Sequence, residues 1–215
     1  MTRRLNSLAL SLALACVTAV SACTDAADPS DAPRATEVEL ASPWTLASDA
    51  SALTYLSIKS GNVAEVNTFG TLNGSVGEDG SAEISIDLDS VNTNVDIRNE
   101  RMRNVFFETD AYPTATASTT LDLGTFADLE IGESADVVVR FDLALHGETA
   151  GYDIDAKVTR LGANRVSVDN TAPLILYPDD FNLLDGLGEL QALAGLNSIT
   201  PVVPVNVSLV FERAG

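Results

Sequence analysis

Few residues in this chain of 215 have the types and spacing that chemistry needs. His146 is the single histidine, and the only cysteines are Cys16 and Cys23. Zinc and other transition-metal sites draw on several His or Cys ligands, so no such centre is expected. His146 stands in no G-x-S-x-G-type nucleophile motif and reads as a turn or core residue at a strand end. The carboxylate pairs Asp87/Asp89 and Asp153/Asp155 are spaced by two, so each pair would share one strand face. That spacing could serve acid–base work or calcium. Their alternation with apolar neighbours assigns them to a solvated face instead. Arg98, Arg101 and Arg103 with Glu100 could clamp an anion, but read more economically as a local ion-pair cluster. No glycine-rich phosphate loop follows a strand and opens a helix. The chain is therefore expected to be no enzyme, with no metal and no cofactor.

Cys23 is the exception. Arg3 and Arg4 supply a basic start, an apolar run from Leu5 to Val20 follows, and the run ends in Val20-Ser21-Ala22-Cys23. A basic region, an apolar region and small residues before the cut make a secretory signal. The apolar run is too short to span about 30 Å of hydrocarbon as a helix. The Val-Ser-Ala-Cys ending resembles a bacterial lipobox. That resemblance implies a signal peptide over 1–22 and lipid attachment at Cys23, through acyl chains such as palmitate. Thr24 follows, where an aspartate would favour inner-membrane retention, so the resemblance implies the periplasmic face of the outer membrane. Each buried methylene adds about 0.8 kcal/mol, and several chains make a stable anchor. Cys16 lies inside the signal, so the mature chain would carry no disulfide.

Removing 1–22 takes two arginines and no acid from a net charge of −19, leaving −21 on 193 residues. That length suits one domain. So acidic a surface repels nucleic acid, and solubility is its plainest cause. Residues 23–43 are small, acidic and broken by Pro29 and Pro33, the composition of a flexible tether. Trp44, the only tryptophan, marks where packing begins, and the domain is expected over 44–215.

From Trp44 onward the period is two. Ala82, Ile84, Ile86 and Leu88 alternate with polar residues; so do Tyr152, Ile154, Ala156 and Val158, and Val203 through Phe211. Val137 to Leu145 alternates too, with Val138 and Ala144 as exceptions. Weaker strands fit 53–59, 64–76, 115–122, 165–169 and 173–177. Turns fall at Gly77–Gly80, Gly147–Gly151 and Gly162–Asn164. Strands with one apolar and one polar face predict an all-β antiparallel barrel or sandwich. Two segments break the period. Val95–Glu108 has a helical or turn-rich spacing. Leu183, Leu184, Leu187, Leu190, Leu193 and Leu196 recur at three- and four-residue steps, predicting an amphipathic helix near 183–195 that packs on the core or caps a barrel end.

The order of these pieces is specific. Phe69-Gly70-Thr71-Leu72-Asn73-Gly74 is followed by Ile84 to Thr93, then Asp96-Ile97-Arg98-Asn99-Glu100-Arg101-Met102-Arg103, Phe106-Phe107-Glu108, Tyr112-Pro113, and Leu143-Ala144-Leu145-His146-Gly147-Glu148-Thr149. The series resembles the YceI-like family across about residues 45–213. The resemblance implies a lipocalin-like, extracytoplasmic barrel with an apolar cavity, in which some members hold a polyisoprenoid chain. The chain departs from the commoner pattern at Leu53-Thr54-Tyr55 and Glu65-Val66-Asn67, where a histidine often stands. It departs again in the leucine-rich helix before the last strand. The expected partner is an apolar or isoprenoid lipid, with Tyr55, Ile84, Ile86, Val139, Phe141, Leu143, Ile154 and Val207 facing it by strand phase. The competing expectation is an interaction barrel filled by its own side chains. Small inward residues such as Ala82 and Ala156 favour a cavity, and bulky ones such as Phe141 and Phe211 favour a filled core.

Overall fold

The computed structural model describes residues 43–213; the signal segment, Cys23 and the rest of the tether lie outside them. Period-two alternation becomes twelve strand segments: β1 (Trp44–Leu46), β2 (Ala52–Lys59), β3 (Val63–Phe69), β4 (Leu72–Val76), β5 (Ser81–Asp87), β6 (Val91–Asn92), β7 (Thr114–Thr120), β8 (Ser134–Leu145), β9 (Glu148–Gly162), β10 (Arg165–Asn170), β11 (Leu174–Leu176) and β12 (Val203–Arg213). Their pairings reduce them to eight long strands. β1 and β2 are one strand interrupted by a 3-10 turn at Ser48–Ala50. Opposite them β4 and β3 are one strand bent at Gly70–Thr71, since β1 pairs with β4 and β2 with β3. The same bend recurs in the next strand, where β4 pairs with β5 and β3 with β6. β12 runs beside β10 and then β11 on one edge, and beside β1 and then β2 on the other. That double pairing closes the sheet into an eight-stranded antiparallel barrel, leaving few unpaired edges. An eight-stranded barrel is wide enough inside for side chains or for one small ligand.

Four local expectations change. The 64–76 segment is not continuous, because the backbone N–H groups of Gly70 and Thr71 both turn toward Ser90 Oγ, at 3.1 and 3.0 Å. The Gly147–Gly151 turn is shorter than its glycines suggest: His146 and Gly147, both at positive φ, make a two-residue turn, and Thr149–Gly151 already belong to β9. Asp87 and Asp89 do not share a strand face. β5 ends at Asp87, whose carboxylate accepts from the Asp89 backbone N–H and caps the 3-10 turn Leu88–Ser90. The arginines do not cluster with Glu100. Arg98 pairs with Glu65, Arg101 donates to the Leu193 carbonyl, and Arg103 donates to the Asp89 carbonyl.

The aperiodic segments lie together. Between β6 and β7 runs α1 (Asp96–Arg101), which continues as a π-helical turn over Met102–Phe107. Between β11 and β12 run a 3-10 turn (Pro178–Phe181) and α2 (Leu184–Ala194), close to the helix expected over 183–195. Both connections leave the same end of the barrel, because the up-and-down strand order puts them there. α2 packs directly on the π-helical turn at Gly186, where an added Cβ would stand 3.0 Å from the Val105 carbonyl oxygen. Phe106, Phe107, Phe181, Leu183 and Leu190 are buried there. The opposite end carries the short turn Gly77–Gly80, the β9–β10 turn and the β7–β8 connection. Asp79 holds the first of these by accepting from the Ser81 hydroxyl and backbone N–H, and the hydroxyl bond holds its carboxyl below the usual range.

Candidate functional site

The two halves of the interior are built differently. Toward the helices the barrel is solid. Tyr55 packs tilted against Phe69 with ring centroids 5.5 Å apart, Phe69 tilted against Phe107 at 5.9 Å, and Phe106 meets Phe107 edge-on at 4.9 Å. Phe181 is 1% exposed and stacks on Tyr152. The Tyr152 hydroxyl donates to Asp180, tying the 3-10 turn to β9. Burial first, and then this acceptor, push the Tyr152 phenol upward, so it stays neutral.

Toward the turn end the same alternation encloses a cavity of about 250 Å³. Every long strand contributes to its wall. Ser118 and Thr119 are the only lining residues with polar side chains, and no charged residue lines it. Leu121 and Leu123, from the β7–β8 connection, and Trp44 stand at its outer end. The volume lies just below the roughly 300–1,000 Å³ of typical small-molecule sites. A wall of this kind offers apolar contact and almost no orienting hydrogen bond.

Seven of the residues singled out by strand phase line this cavity together: Ile84, Ile86, Val139, Phe141, Leu143, Ile154 and Val207. Tyr55 does not. It faces inward but lies beyond the inner end, buried against Phe69. Ala82, Ala156, Phe141 and Phe211 all line the cavity, so small and bulky residues share one wall. Sequence reasoning passed over Trp44, Leu121 and Leu123, which sit at element ends where no periodicity marks a face. A second, open groove of about 360 Å³ lies along β9 and β11, with Asp153, Asp155 and Tyr177 in its wall. It is wider but lined partly by carboxylates.

None of the polar candidates lines the cavity. Among the described residues, no group of three or more His, Cys, Asp or Glu could hold a metal ion. His146 Nε2 lies 2.8 Å from Glu108 Oε2, and its ring sits 4.4 Å from the Tyr112 ring. Both His146 and Glu108 adopt left-handed backbone conformations, with φ of 52° and 49°. The pair joins the β8–β9 turn to the helical end, away from the cavity lining. Asp153 faces outward, 3.8 Å from Arg140, on the solvated surface. No helix among the described residues is long and apolar enough to cross a membrane.

Comparison with known proteins agrees with this architecture. A polyisoprenoid-binding domain from Saccharophagus degradans, implicated in plant cell wall breakdown, is 40% identical, with a TM-score of 0.78 over 80% of this chain and 98% of that one. Burkholderia cenocepacia BcnA shares the fold at 20% identity, with a TM-score of 0.60 over 77% of this chain and 98% of its own. A Campylobacter jejuni YCEI protein shares it at 13% identity, with a TM-score of 0.51 over 69% and 85%. No curated protein matches. The model of the YceI-like domain matches residues 44–211, and the chain belongs to the YceI-like family.

Proposed function

We propose that this domain is a lipid-binding module that holds an apolar or isoprenoid chain in the turn-end half of its barrel. The observation that carries the reading is the wall of the cavity, apolar on every strand with two polar side chains at its edge. Burying apolar area is favourable by about 25 cal/mol per Å², less the cost of ordering the chain. Affinity would thus come from contact rather than from a charged clamp. The 40%-identical S. degradans domain, described as polyisoprenoid-binding, supports the same ligand class. The aromatic packing under the helices leaves the turn end, past Leu121 and Leu123, as the entrance. The cavity holds only a few isoprene units in this conformation, so a long chain would protrude there. The reading is of a binding module rather than an enzyme.

The setting is part of the proposal. The segment Val20-Ser21-Ala22-Cys23 supports export and lipidation at Cys23. An acidic tether would then hold the barrel near the outer membrane, beside its ligand source. Cys23→Ser should release the protein from the membrane fraction; unchanged fractionation would refute the anchor.

For the cavity, organic extraction and native mass spectrometry of the purified protein should reveal a co-purifying lipid. Leu143→Trp, which places an indole in the cavity, should abolish uptake while the fold survives. A wild-type protein that takes up no lipid in transfer assays would favour the interaction-barrel alternative.

A further inference from the structure

One stretch of the barrel wall is not closed by a hydrogen-bonded ladder. β10 and β11 lie end to end along β12, but only β10 also pairs with β9. The β9–β10 ladder ends at the Asn170–Ala156 pair, and the Thr171 N–H donates one further bond to the Asp155 carbonyl at 2.8 Å. Beyond it, among the described residues, no ladder joins β9 to β11. The local sequence explains the parting. The Asn170 side chain donates to the Ala172 carbonyl at 2.7 Å and accepts from the Val207 N–H at 2.8 Å, which holds the chain against β12. Pro173 then offers no N–H to a neighbouring strand. The wall is tied again where the Tyr152 hydroxyl donates to Asp180. From Tyr152 to Asp155 the seam is about 10 Å long.

The open groove of about 360 Å³ runs along this seam on the outside, and the cavity of about 250 Å³ lies behind it. Ile154 and Leu174 line both spaces, so one layer of side chains separates them. Both point inward yet are only half-buried. Ala156 and Val158, on the same face of β9 where β10 covers its edge, are 3% and 9% exposed. Ile154 is also the cavity-lining residue of β9 nearest the helices. The seam therefore adjoins the inner end of the cavity, beside the aromatic plug.

We propose that this seam is a side port of the lipid site, and that the groove outside it holds the far end of a prenyl chain too long for the cavity. The assignment rests on the lipid-binding reading above and extends it to a second compartment. A chain that enters at the turn end runs the length of the cavity and meets the plug. Turning out through the seam displaces the Ile154 and Leu174 side chains and breaks no ladder hydrogen bond. Outside, the chain lies on Pro173, Leu174, Ile175 and Tyr177. Asp153 and Asp155 complete the groove wall and repel a phosphate. The hydrocarbon end of the lipid goes there, and its head stays outside the turn end.

Farnesol and the twice-longer hexaprenol carry the same head and differ in reach. Their affinities for the lipid-free protein, measured by displacement of a fluorescent probe, test the port. Hexaprenol should bind about tenfold more tightly than farnesol, the gain from burying roughly 55 Å² more of apolar chain. Ala172→Trp fills the groove from an exposed position outside the cavity lining. It should abolish that gain and leave farnesol affinity level. In the wild type, hexaprenol with a photoreactive diazirine at its hydrocarbon end should label Asp153, Ile175 or Tyr177, which line the groove and not the cavity. Equal affinities of the two alcohols, a gain untouched by Ala172→Trp, or labelling that misses these three residues would overturn the port while leaving lipid binding standing. Binding of neither alcohol would remove the port together with the reading beneath it.

Discussion

The two ends of the barrel are made from the same strands and behave as opposites. At the helical end, residues from outside the barrel fill the interior: Phe106, Phe107, Phe181 and Leu183 pack on Tyr55 and Phe69. The three largest fully buried side chains, Phe181, Leu88 and Asn67, belong to that half. At the turn end two of the connections are tight turns, and from the longer β7–β8 connection only Leu121 and Leu123 reach the cavity. In this barrel the strand side chains alone leave space there. The comparison teaches that hollowness is decided by the loops. Connections that carry aromatic side chains into the interior plug their end, and connections that carry none leave theirs hollow.

The largest effects should come from breaking the plug. Phe181→Ala removes the most buried large side chain and leaves a void beneath the 3-10 turn. It should cost about 3–5 kcal/mol, read as a lower midpoint in chemical denaturation. Trp44→Phe at the turn end should cost far less, since Trp44 borders space that is already empty. Similar losses from the two substitutions would mean that the ends are equally packed.

Adding volume sharpens the same contrast. Ala115, at the start of β7, is 4% exposed and packs beside the plug. Ala115→Leu should cost about 1–3 kcal/mol through overpacking. Leu143→Trp adds more atoms but adds them to a cavity of about 250 Å³, so thermal melting should move little. A Leu143→Trp protein as destabilised as Ala115→Leu would show that the cavity is not free space.

What could be read beforehand follows the same division. The period-two segments expose their inner face in the sequence, so Ile84, Ile86, Val139, Phe141, Leu143, Ile154 and Val207 could be placed on one wall. Tyr55 obeys the same period, but its neighbours Phe69 and Phe107 arrive from other segments, and nothing local announces them. The strand break at Leu88–Ser90 was equally hidden, because Asp87 and Ser90 act through side-chain hydrogen bonds that look like ordinary strand polars. The α2 stripe was legible as a helix and Val95–Glu108 as helical or turn-rich, but nothing local showed that the two would pack together.

Smaller effects test how closely that helix is docked. Gly186 and Gly188 both sit inside α2. A Cβ on Gly188 meets nothing within 4 Å, so Gly188→Ala should stabilise by about 0.5–1 kcal/mol through helix propensity. Gly186→Ala gains the same propensity but brings a Cβ to 3.0 Å from the Val105 oxygen and 3.4 Å from Phe106 Cα. The gain should vanish or reverse. Equal stabilisation by both would show that α2 sits loosely on the plug.

The smallest effect concerns the charges that pin the plug's outer edge. Glu65 accepts from Lys59 Nζ at 2.8 Å and from Arg98 Nη1 at 2.6 Å, joining the β2–β3 hairpin to α1. The Lys59 hydrogen bond is the main cause that holds the Glu65 carboxyl below its usual range, and the Arg98 charge adds to it. A carboxyl lowered by folding contributes stability above its unfolded pKa, and that contribution is lost as pH falls through the folded one. The triad is partly exposed, so screening keeps its worth to roughly 1 kcal/mol or less. Glu65→Gln should therefore lower stability slightly at pH 7, and the gap between variant and wild type should close on acidification below the ordinary carboxylate range. Added salt should narrow the gap at pH 7 as well. The turn-end pair Arg165–Glu212, 3.2 Å apart and about half exposed, serves as the control, and Glu212→Gln should change stability less than Glu65→Gln. If the two substitutions cost the same at every pH, the helical end owes its rigidity to aromatic packing alone, and the Glu65 bridge is only surface decoration on it.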